Sequence, residues 1–459
     1  MGRIVADDLN SPHMASSDAI SPSLLFTLLF AFALSAGMLL KLWLASRQIR
    51  HVARHRNAVP APFAERITLA AHQKAADYTV AKARLELLEL ALGTAVLLGW
   101  TLLGGLNLLN QALLHWLGGG MWQQLALLAA FVLISGLIDL PVSLYKTFVQ
   151  EKRFGFNKMT PALWLADLCK SILLGAAIGL PIAAAILWLM GQAGPYWWAW
   201  AWAVWMGFNL LLMVIFPTFI APLFNQFKPL EDEALKQRVS HLMERCGFAA
   251  KGLFVMDGSR RSAHANAYFT GLGRAKRVVF YDTLLAQLEP AEVEAVLAHE
   301  LGHFKHRHVT WRLVQMFALS LLGFALLGWL SARGWFYTGL GVTPNLSLDG
   351  SAPNDVLALL LFLLVVPLLG FFITPLLAHG SRRNEFEADA YAAAQADGSA
   401  LASALLKLYQ DNASTLTPDP WYVRFYYSHP PASERLARLP NPVRALPSSP
   451  SLDSAVTTP

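Results

Sequence analysis

Apolar blocks close to 20 residues long recur seven times along the sequence, at Ser23–Leu44, Leu90–Leu109, Leu125–Leu144, Leu168–Met190, Trp197–Phe216, Trp311–Leu330 and Val356–Leu377. A helix of about 20 residues crosses the ~30 Å of hydrocarbon in a bilayer, where every backbone polar group must be paired within the segment. Blocks of this length leave few folds open: the chain is a polytopic membrane protein. Charged residues make up 14% of the 459 residues, against about 25% in soluble domains, which excludes a freely soluble enzyme. The first block is no cleaved signal, because it outruns an ordinary h-region and ends in Lys41-Leu-Trp-Leu-Ala-Ser-Arg47 with no small-residue cleavage site behind it. Lys41 there can snorkel to the surface.

Orientation follows from the basic residues. Residues 45–86 carry eight Lys/Arg and residues 145–166 carry four, while loops 110–124 and 191–196 carry none and 331–354 only Arg333. The positive-inside rule then puts the N-terminus outside and the C-terminus in the cytoplasm. The net charge of +6 is thus a membrane signature and implies no nucleic-acid partner. The expected organisation is a disordered stretch 1–20, spans 1–5 with cytoplasmic loops over 21–218, and a polar region 219–310. Spans 6–7 over 311–377, a second polar region 378–439 and a disordered Pro-rich tail 440–459 follow. The two polar regions fall on one side and form one domain. The fold class is mostly α, with seven transmembrane helices and a cytoplasmic α+β domain. An Ala/Leu-rich monomer without an ER-retrieval tail points to a bacterial inner membrane.

Within the first polar region, Leu230–Cys246 has helical periodicity and Leu253–Asp257 reads as a strand. Asn266–Gly273 and Arg277–Tyr281 form a hairpin with a Gly-containing turn. Pro290 opens a helix with Glu292 and Glu294 near its positive end. Nothing but Gly302 interrupts it, so it is expected to run unbroken into the sixth span.

That helix carries His299-Glu300-Leu-Gly-His303. Residues four apart share a helix face, so both imidazoles reach one tetrahedral zinc, with Glu300 placed to take a proton from water. Chance yields roughly 0.01 such matches in this composition. His306 and His308 follow; a three-His site is conceivable, but both read as polar helix-end residues at the membrane face. Two helical His ligands need a third protein ligand, leaving one position for water. The best source is Ser381-Arg-Arg-Asn-Glu385-Phe-Glu387-Ala-Asp389, where spacing alone leaves Glu385 and Glu387 open. Asp389, i+4 from Glu385, can accept the outward N–H of a ligand histidine. Ala388, Ala390 and Ala392–Ala394 keep this helix slim for close packing. Two cysteines, Cys169 and Cys246, are too few for a disulfide framework or a Cys-based zinc site; Cys169 reads as a small core residue. Asp139, Lys170 and Asn209 are the polar residues inside spans, the first two read as snorkelling or paired. The Trp197–Trp205 cluster reads as an interfacial belt.

Together with Asn266-Ala-Tyr-Phe, Glu151-Lys-Arg-Phe-Gly-Phe-Asn157 and Ser428-His-Pro-Pro-x-x-Glu-Arg435, these motifs resemble the type-1 CAAX prenyl protease family of membrane-embedded gluzincin peptidases, over roughly residues 20–440. The resemblance implies that His299, His303 and Glu385 ligate one Zn2+ and that Glu300 is the general base. It implies that Asp389 orients a ligand, that His429 donates to the oxyanion with Arg435 in support, and that Asn266, Ala267 and Tyr268 pair with the substrate backbone. It further implies a water-filled chamber among the seven helices, and a peptide or lipid-modified protein substrate cut near its C-terminus. Two other readings are a quality-control metalloprotease for membrane proteins and a non-catalytic membrane scaffold or transport protein. Intact Glu300 argues against the last, since a structural site needs no base.

Overall fold

The computed structural model describes residues 20–270, 275–345 and 353–439; the stretches 1–19 and 440–459, expected to be disordered, lie outside the described residues. Helices α1 (Pro22–His55), α2 (Leu69–Trp100), α3 (Gly105–Leu117), α4 (Met121–Tyr145), α5 (Pro161–Gln192) and α6 (Trp197–Ile215) make up the first half. The side chains of Ser21, Thr68 and Thr160 cap α1, α2 and α5 by accepting from a backbone N–H in the first turn. Several helices outrun their apolar blocks, carrying polar turns beyond the hydrocarbon. The second span is not one helix. α2 and α3 meet at a 47° bend where Gly104 adopts φ +80° and a Cβ on Gly105 would lie 2.5 Å from the Gly99 carbonyl oxygen. An apolar count over 90–109 cannot register this glycine corner.

The extramembrane part begins with β1 (Phe227–Pro229), α7 (Glu233–Arg245), β2 (Ala249–Met256), β3 (Ala267–Thr270), β4 (Ala275–Tyr281), α8 (Asp282–Gln287) and α9 (Pro290–Lys305). The sheet order is β1-β2-β4-β3, with β2 parallel to β4 and the expected hairpin pairing β3 antiparallel to β4, from Ala267↔Phe280 to Thr270↔Arg277. The crossover makes β3 an edge strand. The chain continues through α10 (His308–Ser331), α11 (Gly334–Thr338), α12 (Asp355–Gln395), α13 (Gly398–Asp411), α14 (Pro420–Tyr426) and α15 (Ala432–Leu436).

The helix opened by Pro290 does not run into the sixth span as expected. α9 stops at Lys305, and Arg307 takes a left-handed φ of +57° before α10 starts. Continuity belongs to another helix: α12 runs for 41 residues, from Asp355 past two internal prolines to Gln395. Among the described residues six helices are long and apolar enough to cross a membrane, and the seven spans expected from the sequence are reached if the bent α2–α3 pair is one span.

Two cores result. One packs α7, α9 and α13 on the sheet around Val239, Phe280, Leu297 and Leu401; the other closes the far end of the helical bundle around Leu106, Leu127, Phe336 and Leu360. Cys246 is buried in the first, whereas Cys169 points outward from α5 and is no core residue. Between the cores a cavity of about 1960 Å³ opens among α6, α10 and α12 and reaches α9.

Candidate metal centre

α9 and α12 approach closely because both are lined with small residues. A Cβ on Gly302 would stand 3.0 Å from the Ala388 Cα. At this crossing the Nε2 atoms of His299 and His303 lie 3.2 Å apart. From α12, Glu385 sets Oε2 3.4 Å from His299 Nε2 and Oε1 3.4 Å from His303 Nε2. Donors 2.0–2.1 Å from a tetrahedral zinc stand ~3.3 Å from one another, so all three separations fit such an ion. Glu385 Oε2 is buried and has no hydrogen-bond donor, a costly arrangement for a carboxylate oxygen that a cation relieves. The alternative, Glu387, is turned away: it accepts from His308 Nε2 at 3.1 Å and from Arg383 Nε at 3.1 Å.

Behind the first histidine, His299 Nδ1 lies 2.8 Å from Asp389 Oδ1, the orienting contact expected from the spacing. Arg435 clasps the same carboxylate with Nε–Oδ2 2.8 Å and Nη2–Oδ1 2.6 Å, and both partners are buried. Burial pulls the His299 pKa down, but Asp389 and Glu385 more than reverse it and carry the group to about 9. Arg435 was expected to support an oxyanion. It forks onto Asp389 behind the ligands, and its Nη1 lies 3.6 Å from Glu385 Oε2.

Glu300 lines the large cavity beside His303, Glu385 and His429. His429 sets Nε2 3.3 Å from Glu385 Oε1, and its Nδ1 meets Ser428 Oγ at 2.9 Å. Surrounding protein pulls the His429 pKa below its usual value, with Glu385 opposing. Arg382 holds this segment by donating to the carbonyls of Val423 and Tyr427 at 3.0 and 2.8 Å. Sequence reasoning missed that role, since nothing in Ser381-Arg382-Arg383 separates the two arginines. Just before β3, Asn266 Oδ1 accepts from the N–H of Ala267, while Tyr268, Phe269 and Thr270 of β3 line the same cavity as Glu300.

His308, expected to be a polar helix-end residue at the membrane face, opens α10 with its ring 10% exposed and packed against His303. Lys170 donates to the Leu223 carbonyl at 2.9 Å, Asn209 donates to the Trp205 carbonyl and faces the cavity, and Asp139 is exposed on α4.

Two family models match the chain: residues 48–226 match one described as CAAX prenyl protease N-terminal, five membrane helices, and residues 229–443 match peptidase family M48. A CAAX prenyl protease 1 homolog of Oryza sativa subsp. japonica is 38% identical over 338 residues, which is 73% of this chain and 75% of that protein. The chain belongs to the type-1 CAAX prenyl protease family of M48 peptidases. CAAX prenyl protease 1 of Saccharomyces cerevisiae is 38% identical over 69% of this chain and 72% of its own length. The crystal structure of S. mikatae Ste24p superposes on this M48 peptidase with a TM-score of 0.82 at 31% identity, covering 92% of this chain and 99% of that one. The protein is accordingly an integral-membrane metalloendopeptidase, and the scaffold and transporter reading falls away.

Proposed function

We propose that this enzyme cleaves near the C-terminus of prenylated, CAAX-type proteins or peptides, using one zinc ion held by His299, His303 and Glu385. The Glu385 carboxylate carries the metal assignment: its buried, donorless Oε2 stands 3.4 Å from His299 Nε2, and its Oε1 stands 3.4 Å from His303 Nε2. The names of the rice and yeast relatives support the substrate class. So does the cavity, in which span residues such as Leu210, Leu319 and Leu376 stand beside Glu300, giving a lipid tail and a peptide one destination.

Zinc, when bound, supplies a Lewis acid for the scissile carbonyl and lowers the pKa of water toward ~7. Glu300 takes a proton from the attacking water and returns it to the leaving amine. His429 donates to the developing oxyanion, where losing one donor costs about 2.7–4 kcal/mol. Asp389, gripped by Arg435, keeps the proton of His299 on Nδ1, so that its Nε2 lone pair faces the metal. Asn266, Ala267 and Tyr268 offer the free edge of β3 to the substrate backbone. The polar regions 219–310 and 378–439 act as one catalytic unit, separated in sequence by the spans of 311–377. The N-terminus is outside, the catalytic unit is in the cytoplasm, and one chain suffices. Plant and fungal relatives lend no weight to the bacterial inner membrane expected from composition.

Glu300→Gln tests this assignment. The variant should keep stoichiometric zinc by elemental analysis yet cleave a farnesylated C-terminal peptide at least about 100-fold more slowly. Near-parental turnover overturns the role of Glu300, and turnover indifferent to chelators overturns the metal.

A further inference from the structure

The second ligand histidine has its own support, and the function proposed above makes no use of it. His303 turns Nε2 toward His299 and Glu385, and its other nitrogen, Nδ1, lies 3.0 Å from Nδ1 of His308. His308 Nε2 in turn lies 3.1 Å from Glu387 Oε2, and the other oxygen of Glu387 accepts from Arg383 at 3.1 Å. A neutral imidazole carries one proton. If His303 keeps the Nε2 lone pair for a metal, its proton sits on Nδ1 and must be accepted by His308 Nδ1. The proton of His308 is then on Nε2 and goes to the Glu387 carboxylate. Only one set of tautomers satisfies both contacts, and it ends on a negative charge.

The backbone break is what makes this contact available. In an unbroken helix His308 would be five residues on from His303, about 140° round the axis and facing away. The left-handed turn at Arg307, φ +57°, swings the start of α10 back so that His308 returns to the face of His303. A non-glycine residue in that region is strained, and such strain persists where the surroundings impose it.

We infer that His308 and Glu387 are positioning residues for the metal site, a His303–His308–Glu387 donor chain that fixes the tautomer and aim of the second ligand as Asp389 does for the first. The inference rests on the zinc reading above. It assigns a purpose to the helix break and to the one carboxylate of the Glu385–Glu387 pair that does not face the site.

The test is zinc affinity of the purified full chain in detergent, stripped of metal and titrated against a chromophoric chelator. His308→Ala should weaken zinc binding about 10–100-fold. His308→Gln, whose amide oxygen can accept from His303 while its NH2 donates to Glu387, should recover most of that loss. His306→Ala removes a ring stacked on His308 but not bonded to His303, and should bind as the parent does. Parental affinity in His308→Ala overturns the inference. So does failure of His308→Gln to recover affinity, or an affinity loss that merely follows the thermal stability of the metal-free protein. A parent chain that takes up no zinc instead overturns the metal reading beneath it.

Discussion

Asp389 holds two partners at once, the outward nitrogen of His299 and the guanidinium of Arg435, and the two debts can be separated by mutation. Asp389→Asn still offers an oxygen to His299 but leaves the buried Arg435 guanidinium only the Glu385 carboxylate, 3.6 Å from its Nη1, a loss toward the lower end of the about 3–5 kcal/mol of a broken buried pair. Adding Arg435→Gln removes that charge. The double variant should therefore melt well above the single one, while zinc affinity in both stays about 10–100-fold below the parent because the anionic acceptor is gone. Thermal unfolding and chelator competition read the two effects independently; a double variant no more stable than the single one contradicts the pairing. The sequence made part of this legible. His299, Glu300 and His303 declare themselves because one helical turn brings them together, and Asp389 follows from its i+4 offset to Glu385. Glu385 and Glu387 could not be ranked, since the choice depends on how α12 is rotated against α9. Nor could Arg435 be assigned a direction, because a sequence does not say whether a guanidinium faces the reaction space or the back of a ligand.

Helix α9 shows which element-level features local sequence carries. Its start was readable: Pro290 opens it, and Glu292 returns its carboxylate to the Glu289 N–H at 2.8 Å. Its end was not, because Lys305-His306-Arg307 contains neither glycine nor proline, and a left-handed arginine is dictated by tertiary contacts. The bend between α2 and α3 was signalled by Gly104-Gly105 but hidden by the apolar count around it. The close α9–α12 crossing was foreshadowed by the alanines of α12. The readable start also yields a pH dependence. Burial pushes the Glu292 pKa up, but donation from Lys407 and Ser403, each at 2.7 Å, and from the Glu289 N–H holds it below the ordinary 4.5. A carboxylate depressed in the folded state stabilises fully above its unfolded value, and that contribution is lost as pH falls through the folded value. Glu292→Gln should therefore cost about 1–3 kcal/mol at pH 7, toward the lower end because Lys407 is partly solvated. The difference from the parent should shrink below pH 4.5. Equal stability of the two proteins at pH 7, followed by thermal melting across that range, would contradict the role of this carboxylate.

Over the whole molecule, the two ends of the bundle are chemically unlike, and this ties the catalytic domain to one face of the membrane. At one end, side chains from helix termini grip the domain. Arg47 of α1 forks onto Asp419, Glu86 of α2 accepts from the Tyr422 hydroxyl, Glu151 beyond α4 lies 3.8 Å from His264 Nε2, and Asp167 of α5 accepts from Arg261 through both oxygens. At the other end Asn110 donates to Asn345 and accepts from Gln123, and Gln124 accepts from the N–H of Val356. The basic segments 45–86 and 145–166 lie at the domain end, and the loop 110–124, free of Lys and Arg, lies at the other. The positive-inside rule therefore fixes the domain and the charge together: if the basic loops are cytoplasmic, so is the metal centre. The prediction can be read in intact cells expressing a chain freed of its own thiols by Cys169→Ser and Cys246→Ala. A membrane-impermeant maleimide should label Gln111→Cys from outside. Ala53→Cys, on the basic extension of α1, and Gln237→Cys, exposed on α7, should react only after permeabilisation. Labelling of Ala53→Cys and Gln237→Cys in intact cells, with Gln111→Cys protected, would invert the protein. Opposite behaviour of Ala53→Cys and Gln237→Cys would contradict the contacts that bind α1, α2, α4 and α5 to the domain, because no single orientation could place those two residues on different sides.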